Sequence, residues 1–292
     1  MNIKAKAKIN IALDIVGKRS DGYHNVNMIM QTIELCDIIN VEKIFSGIEI
    51  GRLETQGDGS LVSPFISIPY DESNLAYRAA KLFFDVSAVR GGARIRIAKR
   101  IPVCAGMAGG SADAAAVLVA LNNLYGKPLS KKVLIKISSR LGADVPYCIV
   151  KGTALATGIG DIITPIRPLK RTCVLIVKPP IAISTPQAYQ GLDFAHMHHP
   201  DINSAVQAIE NGDTASLYKL MGNSFEQSVF AEHTEIADIK NRMYSMGADA
   251  ALMSGSGSTV FGFFENEKNA KTAFEEFNKE YKETFLTYTT NE

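Results

Sequence analysis

Apolar and polar positions alternate from the start of the chain. Ile3, Ala5, Ala7, Ile9, Ile11, Leu13 and Ile15 fall on one face of an extended strand, and Lys4, Lys6, Lys8, Asn10 and Asp14 on the other. Residues 17–22, GKRSDG, have turn chemistry, and 29–45 and 47–55 read as further short strands around a turn at Asp37. The period changes at 74–85, NLAYRAAKLFFD, a helix capped by Ser73 or Asn74. ARIRIAK at 93–99 alternates again as a strand, and a glycine-rich loop follows it. Residues 112–124 are apolar nearly all round, which predicts a buried helix. Ser130 opens the next helix, which runs to Leu141 with Gly142 as its stop.

The second half has a different rhythm. CVLIV at 173–177 predicts a buried strand, and Thr185-Pro186 has the form of an N-cap followed by proline at the first helical position. Helical patterns cover 202–211, 214–221 and 234–246; DAALM at 249–253 and TVFGFF at 259–264 read as strands around the tight loop SGSGS. A helix near 268–281 and a strand near 284–289 complete the pattern. Helices on one side of antiparallel strands predict an α+β protein, with a soft boundary near residue 165 that divides it into 1–164 and 165–292.

Composition narrows the function classes. The 292 residues are 46% hydrophobic and 21% charged, enough for a core of ordinary globular type. Lys plus Arg number 31 against 30 Asp plus Glu, so no global charge excess points to nucleic acid or an anionic membrane, although a local basic cluster could serve an anionic substrate. Cys36, Cys104, Cys148 and Cys173 form no C-x-x-C pair and sit in mainly apolar stretches, which predicts four buried thiols in a reducing compartment. His196, His198 and His199 share a polar stretch ending in proline, read as a surface loop rather than a metal site. The N-terminal MNIKAKAKIN lacks the apolar core of a secretory signal, and no stretch has the length of a membrane span, so a cytoplasmic protein is expected.

Four segments carry candidate chemistry. PVCAGMAGGSADAAA at 102–116 runs from a strand through Gly106, Gly109 and Gly110 into a helix. Glycines let backbone N–H groups face an anion, the helix start adds unpaired donors, and Ser111 offers a hydroxyl to a phosphate or its metal. A tight turn beside a buried helix fits the same residues. The loop has neither the lysine of a Walker A motif nor the G-x-G-x-x-G spacing of a dinucleotide site. In LGADVPYC at 141–148, Asp144 stands among apolar residues, where a carboxylate needs a cationic partner or else caps the following turn. Lys8 and Asn10 point to one side of the first strand, a rigid mount for a catalytic cation or part of a solvated lysine face. SGSGST at 254–259 either binds an anion through its amides or forms a bulged hairpin turn.

Taken together and in this order, these segments resemble the galactokinase, homoserine kinase and mevalonate kinase (GHMP) superfamily. The strings that carry the resemblance are AKINIALDIVGKRSDGYHNVNMIMQTIELCD at 7–37, SNLAYRAAKLF at 73–83, KRIPVCAGMAGGSADAAAVLVALNNLYG at 99–126, LGADVPYCIVKGTALATGIGD at 141–161 and MSGSGSTVFGFF at 253–264. They span most of the chain, and GYH at 22–24 is more specific than the glycine loop.

The resemblance implies a two-domain fold: an N-terminal α/β domain like ribosomal protein S5, a C-terminal ferredoxin-like domain, and an active site in the cleft between them. It implies ATP-dependent phosphorylation of the 2-hydroxyl of a cytidine-diphosphate methylerythritol, a step toward isoprenoid precursors. Another GHMP small-molecule kinase, of homoserine or mevalonate type, or a non-catalytic binder on the same fold would be the alternative. ATP would be the donor, with Mg2+ held mainly by its phosphates, and no nucleic acid or membrane partner; a monomer or weak homodimer is expected.

The resemblance also assigns residues. Asp144 would be the catalytic acid-base residue and Lys8 its partner. Pro102, Val103, Cys104, Ala105, Gly106, Met107, Ala108, Gly109, Gly110, Ser111 and Ala112 would hold the ATP phosphates, with Asn74 and Lys99 on the adenine side. Asn10 would meet the methylerythritol end, Tyr23 and His24 the cytidine, Tyr189 would close an aromatic sandwich on the base, and Thr185 would lie near the substrate. Ala108 and Ala112 stand where such kinases usually have Gly and Ser, Ser258 replaces a usual Pro, and Tyr189 occupies a site that is often Phe. Ala112 shifts any hydroxyl contact to Ser111.

Overall fold

The computed structural model describes residues 1–54, 67–194 and 196–292; residue 55, the end of the predicted strand 47–55, lies outside them. The chain divides into two compact units. One comprises Met1–Ala7, Leu35–Val103 and Ala108–Val150, the other Lys8–Glu34, Cys104–Met107 and Lys151–Glu292.

The first unit takes one end of each of two long strands, β1 (Asn2–Lys18) and β2 (His24–Ile44), and adds β3 (Gly47–Arg52), α1 (Leu75–Ser87), β4 (Gly92–Ala98), α2 (Gly109–Leu124), α3 (Lys131–Ser138) and α4 (Val145–Val150). β4 is antiparallel to β2, with Ile39 opposite Ile97, and parallel to β3, with Ile50 opposite Ile95. The amide of Val41 donates to the Met1 carbonyl at 2.9 Å and places the start of β1 beside β2. Helices α1 and α2 pack on each other through Ala76, Ala79, Ala80 and Phe83 on one side and an alanine-rich surface on the other. Alanine favours the helix intrinsically, and its small side chain lets the two backbones approach.

The second unit takes the other ends of β1 and β2 and adds β5 (Thr153–Thr157), β6 (Ile162–Pro165), β7 (Cys173–Lys178), α5 (Thr185–Gln190), α6 (Ile202–Asn211), α7 (Thr214–Leu220), β8 (Gly222–Asn223), α8 (Glu226–Glu232), α9 (Thr234–Ser245), β9 (Ala250–Met253), β10 (Val260–Phe264), α10 (Glu267–Glu280) and β11 (Glu283–Tyr288). β5 is antiparallel to β2, with Met28 opposite Ala156, and β8 runs parallel to β1, with Ala12 opposite Gly222. A separate antiparallel sheet has the order β11-β7-β10-β9. Counting β7, β9, β10 and β11 as first to fourth, with α9 and α10 as the crossovers, this is the 4-1-3-2 order of a ferredoxin-like β-α-β-β-α-β unit, with α5 to α8 and β8 inserted after its first strand. All six residues of β7 and all five of β10 are buried, which is why both read as unbroken apolar runs.

Several expectations are corrected. Asp37 makes no turn: it lies inside β2, which is one strand of 21 residues, and its buried carboxylate accepts from Lys99 and from the amides of Arg100 and Ile101. Helix α2 starts at Gly109, inside the glycine-rich loop, rather than at 112, and α3 ends at Ser138 rather than Leu141. The N-cap of α5 is Ser184, whose hydroxyl and Gln187 form a capping box, so Thr185 is already helical. Helices α4 and α8 and strands β5, β6 and β8 are short, two to seven residues, and present too few positions for a period to register. Cys104 is exposed and Cys36 half-buried, so only Cys148 and Cys173 are buried thiols.

Candidate functional site

Lys8 marks the point where the polar face of β1 leaves solvent. Lys4 is exposed and Lys6 half-buried, but Lys8 is only 4% exposed and Asn10 fully buried. Buried polar groups must find partners. Lys8 Nζ donates to Asn10 Oδ1 at 2.7 Å and to the Gly106 carbonyl at 2.9 Å, and its backbone amide donates to the Met107 carbonyl at 3.2 Å. Asn10 Nδ2 in turn meets Met28 Sδ at 3.2 Å. The solvated-face reading therefore holds for the lysines before Lys8 and fails at Lys8 itself.

The loop between β9 and β10 closes on the same place. Ser254 Oγ donates to the Gly106 carbonyl at 3.0 Å, so that oxygen has two donors. Asn223 Nδ2 donates to the carbonyls of Met253 and Gly255, both at 2.8 Å, and Ser258 Oγ donates to Ile181 O. A Cβ on Gly106 would stand 1.9 Å from the Ser254 carbonyl oxygen, and one on Gly255 would stand 3.0 Å from the Gly106 carbonyl oxygen. Only glycines allow that approach. Residues 254–259 are thus a buried hairpin loop between the antiparallel strands β9 and β10, tied to Gly106 by the Ser254 hydroxyl. Thr185 Oγ1 lies 3.3 Å from Ser256 Oγ, which brings the start of α5 to it.

Aromatic rings gather elsewhere in this unit. The imidazole of His24 stacks on Tyr189 with centroids 4.4 Å apart and planes 10° apart, and on Phe194 at 5.6 Å and 10°. Tyr189 meets the edge of Phe225 at 5.0 Å. Burial, with Lys18 adding to it, pushes the His24 imidazole below its ordinary range, so the neutral ring dominates. Tyr23 is 61% exposed and belongs to the turn that Asp21 and Arg19 hold together.

In the first unit, residues 108–112 form the entry to α2. Ala108 adopts a left-handed conformation, φ 55 and ψ 31, and no side chain caps the helix. The amides of Gly109, Gly110 and Ser111 precede the first intrahelical donor, Ala112 N–H, which bonds to Ala108 O at 2.8 Å. Such a helix start favours an anion. The left-handed φ of Cys104, at 52, and of Gly106, at 67, bend the preceding stretch, which belongs to the second unit.

The remaining predicted residues are placed as follows. Lys99 is 4% exposed and its ammonium lies between the carboxylates of Asp37 and Asp113. Asn74 caps α1, its Oδ1 accepting from Ala76 N–H at 2.9 Å and its Nδ2 donating to Pro69 O at 2.7 Å. Asp144 is half-buried and directly precedes α4, its carbonyl accepting from Cys148 N–H at 3.1 Å. Lys8, Asn10, Gly106 and Met107 are brought together within the second unit, as are His24 and Tyr189; Asp144, Lys99, Asn74 and residues 108–112 belong to the first. Phe194, Asn223 and Asp113 escaped the sequence reading, and Asp37 was read only as a turn residue. Asp113 sits inside the quoted glycine-loop string, and its buried position among alanines was the available signal; a single Asn or Phe in a polar stretch offers none. Among the described residues no group of three or more His, Cys, Asp or Glu is arranged to hold a metal ion, and no helix is long and apolar enough to cross a membrane.

Comparison with known proteins matches residues 74–152 to the GHMP kinases N terminal domain and residues 205–283 to the GHMP kinases C terminal domain. A 4-diphosphocytidyl-2-C-methyl-D-erythritol kinase of Clostridium beijerinckii is 44% identical over 99% of this chain and 100% of its own. One from Lachnoclostridium phytofermentans is 45% identical over 98% and 96%. The crystal structure of a 4-(cytidine 5'-diphospho)-2C-methyl-D-erythritol kinase superposes with a TM-score of 0.83 at 31% identity, covering 100% of both chains. A homoserine kinase from Cytophaga hutchinsonii, at 17% identity and a TM-score of 0.71 over 99% and 95%, shares the fold.

Proposed function

The chain belongs to the GHMP kinase family, and we propose that it transfers the γ-phosphoryl group of ATP to the 2-hydroxyl of 4-diphosphocytidyl-2-C-methyl-D-erythritol, giving the 2-phosphate and ADP in isoprenoid precursor synthesis. The observation that carries the choice of substrate is the near-parallel stack of His24 and Tyr189. Homoserine and mevalonate contain no base, and flat rings in register serve a substrate that brings one. The full-length relatives named for this substrate support the same reading.

In this reading residues 102–112 hold the phosphates through backbone amides and the start of α2, with Ser111 as the hydroxyl contact. Asp144 accepts or orients the proton of the attacking hydroxyl, and Lys8 offsets the negative charge that develops at the reacting oxygens. Asn10, fixed by Lys8, meets the methylerythritol end, and Thr185 lies on the substrate side. Tyr23, His24 and Tyr189 take the cytidine. The Lys99 and Asn74 side chains are engaged by protein partners, so any contact they make with adenine comes from their backbone or stem. Mg2+, bound through the nucleotide's phosphates, supplies charge neutralisation there. Phosphoryl transfer rests mainly on positioning and electrostatics, which is why so few side chains suffice. A domain boundary near residue 165, in the stretch between the two matched family regions, and a cytoplasmic location complete the proposal.

A panel decides it: the purified chain with ATP and, separately, the cytidyl alcohol, homoserine and mevalonate, read by ADP release and by phosphorus NMR of the product. Turnover of the cytidyl alcohol with a phosphate on its 2-oxygen is the expected result. Faster turnover of homoserine or mevalonate, or none of any substrate, overturns it.

A further inference from the structure

Beneath the first turn of α2 lies a buried ion cluster that the proposed chemistry does not use. Lys99 Nζ stands between Asp37 Oδ2 and Asp113 Oδ2, the latter at 2.9 Å, and none of the three side chains is more than 4% exposed. Asp37 Oδ1 also accepts from the amides of Arg100 and Ile101, at 2.6 and 2.8 Å, so it ties the chain just after β4 to the middle of β2. On its other side the ammonium reaches the anion-binding turn. A Cβ on Gly109 would stand 2.9 Å from Lys99 Nζ and 3.0 Å from Ile101 Cγ2, so only a glycine hydrogen separates the first residue of α2 from the cluster.

A buried cluster of this kind is poorly explained by stability. Apolar side chains of the same volume would serve a core as well or better. Its geometry is what apolar residues could not reproduce: three charged groups on β2, the end of β4 and the second turn of α2 meet at one point under Gly109. Asp113 is also held differently from Asp37. Its Oδ1 is buried and has no hydrogen-bond partner among the described residues. Burial above all, opposed by Lys99 and reinforced by Asp37, raises the Asp113 carboxyl well above the usual carboxylate range. Burial pulls the Lys99 ammonium down, but the two carboxylates outweigh it and keep it charged.

We propose that Asp37 and Asp113 are positioning residues for nucleotide binding, which hold Lys99 under Gly109 and so fix the amides of residues 109–111 without touching the nucleotide. This rests on the reading that residues 102–112 bind ATP. It places the Lys99 side chain under the phosphates rather than on the adenine.

The experiment uses the full chain and two readouts: direct titration with mant-labelled ATP, and separate KM values for ATP and for the cytidyl alcohol. Asp113→Ala is expected to weaken nucleotide binding roughly tenfold, the lower end of what a lost supporting partner costs. The KM for the alcohol stays near that of the unaltered chain. Asp113→Asn, equal in shape and still an acceptor for Lys99, recovers most of the loss. Adenosine, which lacks phosphates, binds the Asp113→Ala chain as it binds the unaltered one. Nucleotide affinity unchanged in Asp113→Ala, or both KM values rising together as Tm falls, overturns the proposal. Should Asp113→Ala not fold, Asp37→Asn decides it. That variant can still accept from both amides but turns a donor toward Lys99; a nucleotide-selective loss supports the role, and a uniform loss or none defeats it. A chain that binds mant-ATP but ignores the cytidyl alcohol refutes the proposed activity alone, and the titration still decides the positioning role.

Discussion

His24 and Tyr189 lie face to face, with ring centroids 4.4 Å apart and planes within 10° of parallel. One comes from the first residue of β2 and the other from α5, 165 positions later in the chain. Their rings already satisfy each other, so a nucleobase joining them must slip between the two or cover an outer face. The imidazole's second near-parallel neighbour, Phe194, sets one limit to that choice. The edge of Phe225 against Tyr189 sets another.

Tyr189→Ala should therefore act on one substrate only. Loss of a stacking ring costs about 1–3 kcal/mol per base, roughly a five- to hundredfold rise in the KM of the cytidyl alcohol. The KM for ATP should stay put, and Tyr189→Phe, which keeps the stacking face, should behave like the unaltered chain. Steady-state kinetics with each substrate varied in turn checks this. Equal rises in both KM values would mean that the ring supports the fold rather than the base.

Lys8→Ala and Asp144→Asn should each lower turnover by roughly a hundredfold or more, the scale of a positioned acid-base group. Lys8→Ala should nonetheless fold. The Gly106 carbonyl that loses the ammonium keeps the hydroxyl of Ser254 at 3.0 Å. The Oδ1 of Asn10 loses the hydrogen bond that the ammonium donates to it at 2.7 Å. Circular dichroism and a thermal melt establish folding, and single-turnover kinetics with ATP and the cytidyl alcohol measure the loss. Near-normal turnover in either folded variant removes that residue from the mechanism.

Much of this fold was legible because its long elements carry strong periods. The alternation of β1, the helical face of α1 and the unbroken apolar runs of β7 and β10 were all readable. Short elements such as α4 and β8 were not, and Asp37 misled because a carboxylate in a strand looks like a turn until its partners are known. The site divides in the same way. The glycines stand out by type and spacing, whereas the roles of Lys8 and of the Thr185 to Tyr189 stretch follow only from the family resemblance. The linking of Gly106 to the 254–259 loop depends on packing between segments 148 positions apart, and the sequence marks it only by repeated small residues.

The raised Asp113 carboxyl has a consequence for stability with a definite sign. Above the ordinary value of 3.8 the unfolded chain gives up this proton while the folded chain keeps it. The folded state then binds more protons, so its stability falls as pH rises through the window from 3.8 to the raised folded value. Asp113→Asn removes that proton from the balance. Relative to the unaltered chain it should gain up to about 1.4 kcal/mol per pH unit across the window. Urea titrations of both chains between mildly acidic and neutral pH test it. A constant or shrinking difference would show that Asp113 ionises in the folded state.

Gly106 and Gly126 both have positive φ, at 67 and 82, yet alanine should affect them very differently. At Gly126 nothing lies within 4 Å of the added Cβ, so Gly126→Ala meets only the left-handed backbone penalty, about 1–2 kcal/mol. At Gly106 the Cβ would fall 1.9 Å from the Ser254 carbonyl oxygen and 3.3 Å from that of Gly257, and both obstacles are backbone. Neither can rotate away, so the 254–259 loop or the glycine loop must shift bodily. Gly106→Ala should then cost at least about 3 kcal/mol, through overpacking added to the same backbone penalty. It should also move the Gly106 carbonyl off Lys8 and lower turnover, which Gly126→Ala leaves intact. Urea midpoints at unchanged m-value give the stabilities. Equal costs at the two positions would mean that the loops are not held against each other as tightly as their hydrogen bonds imply.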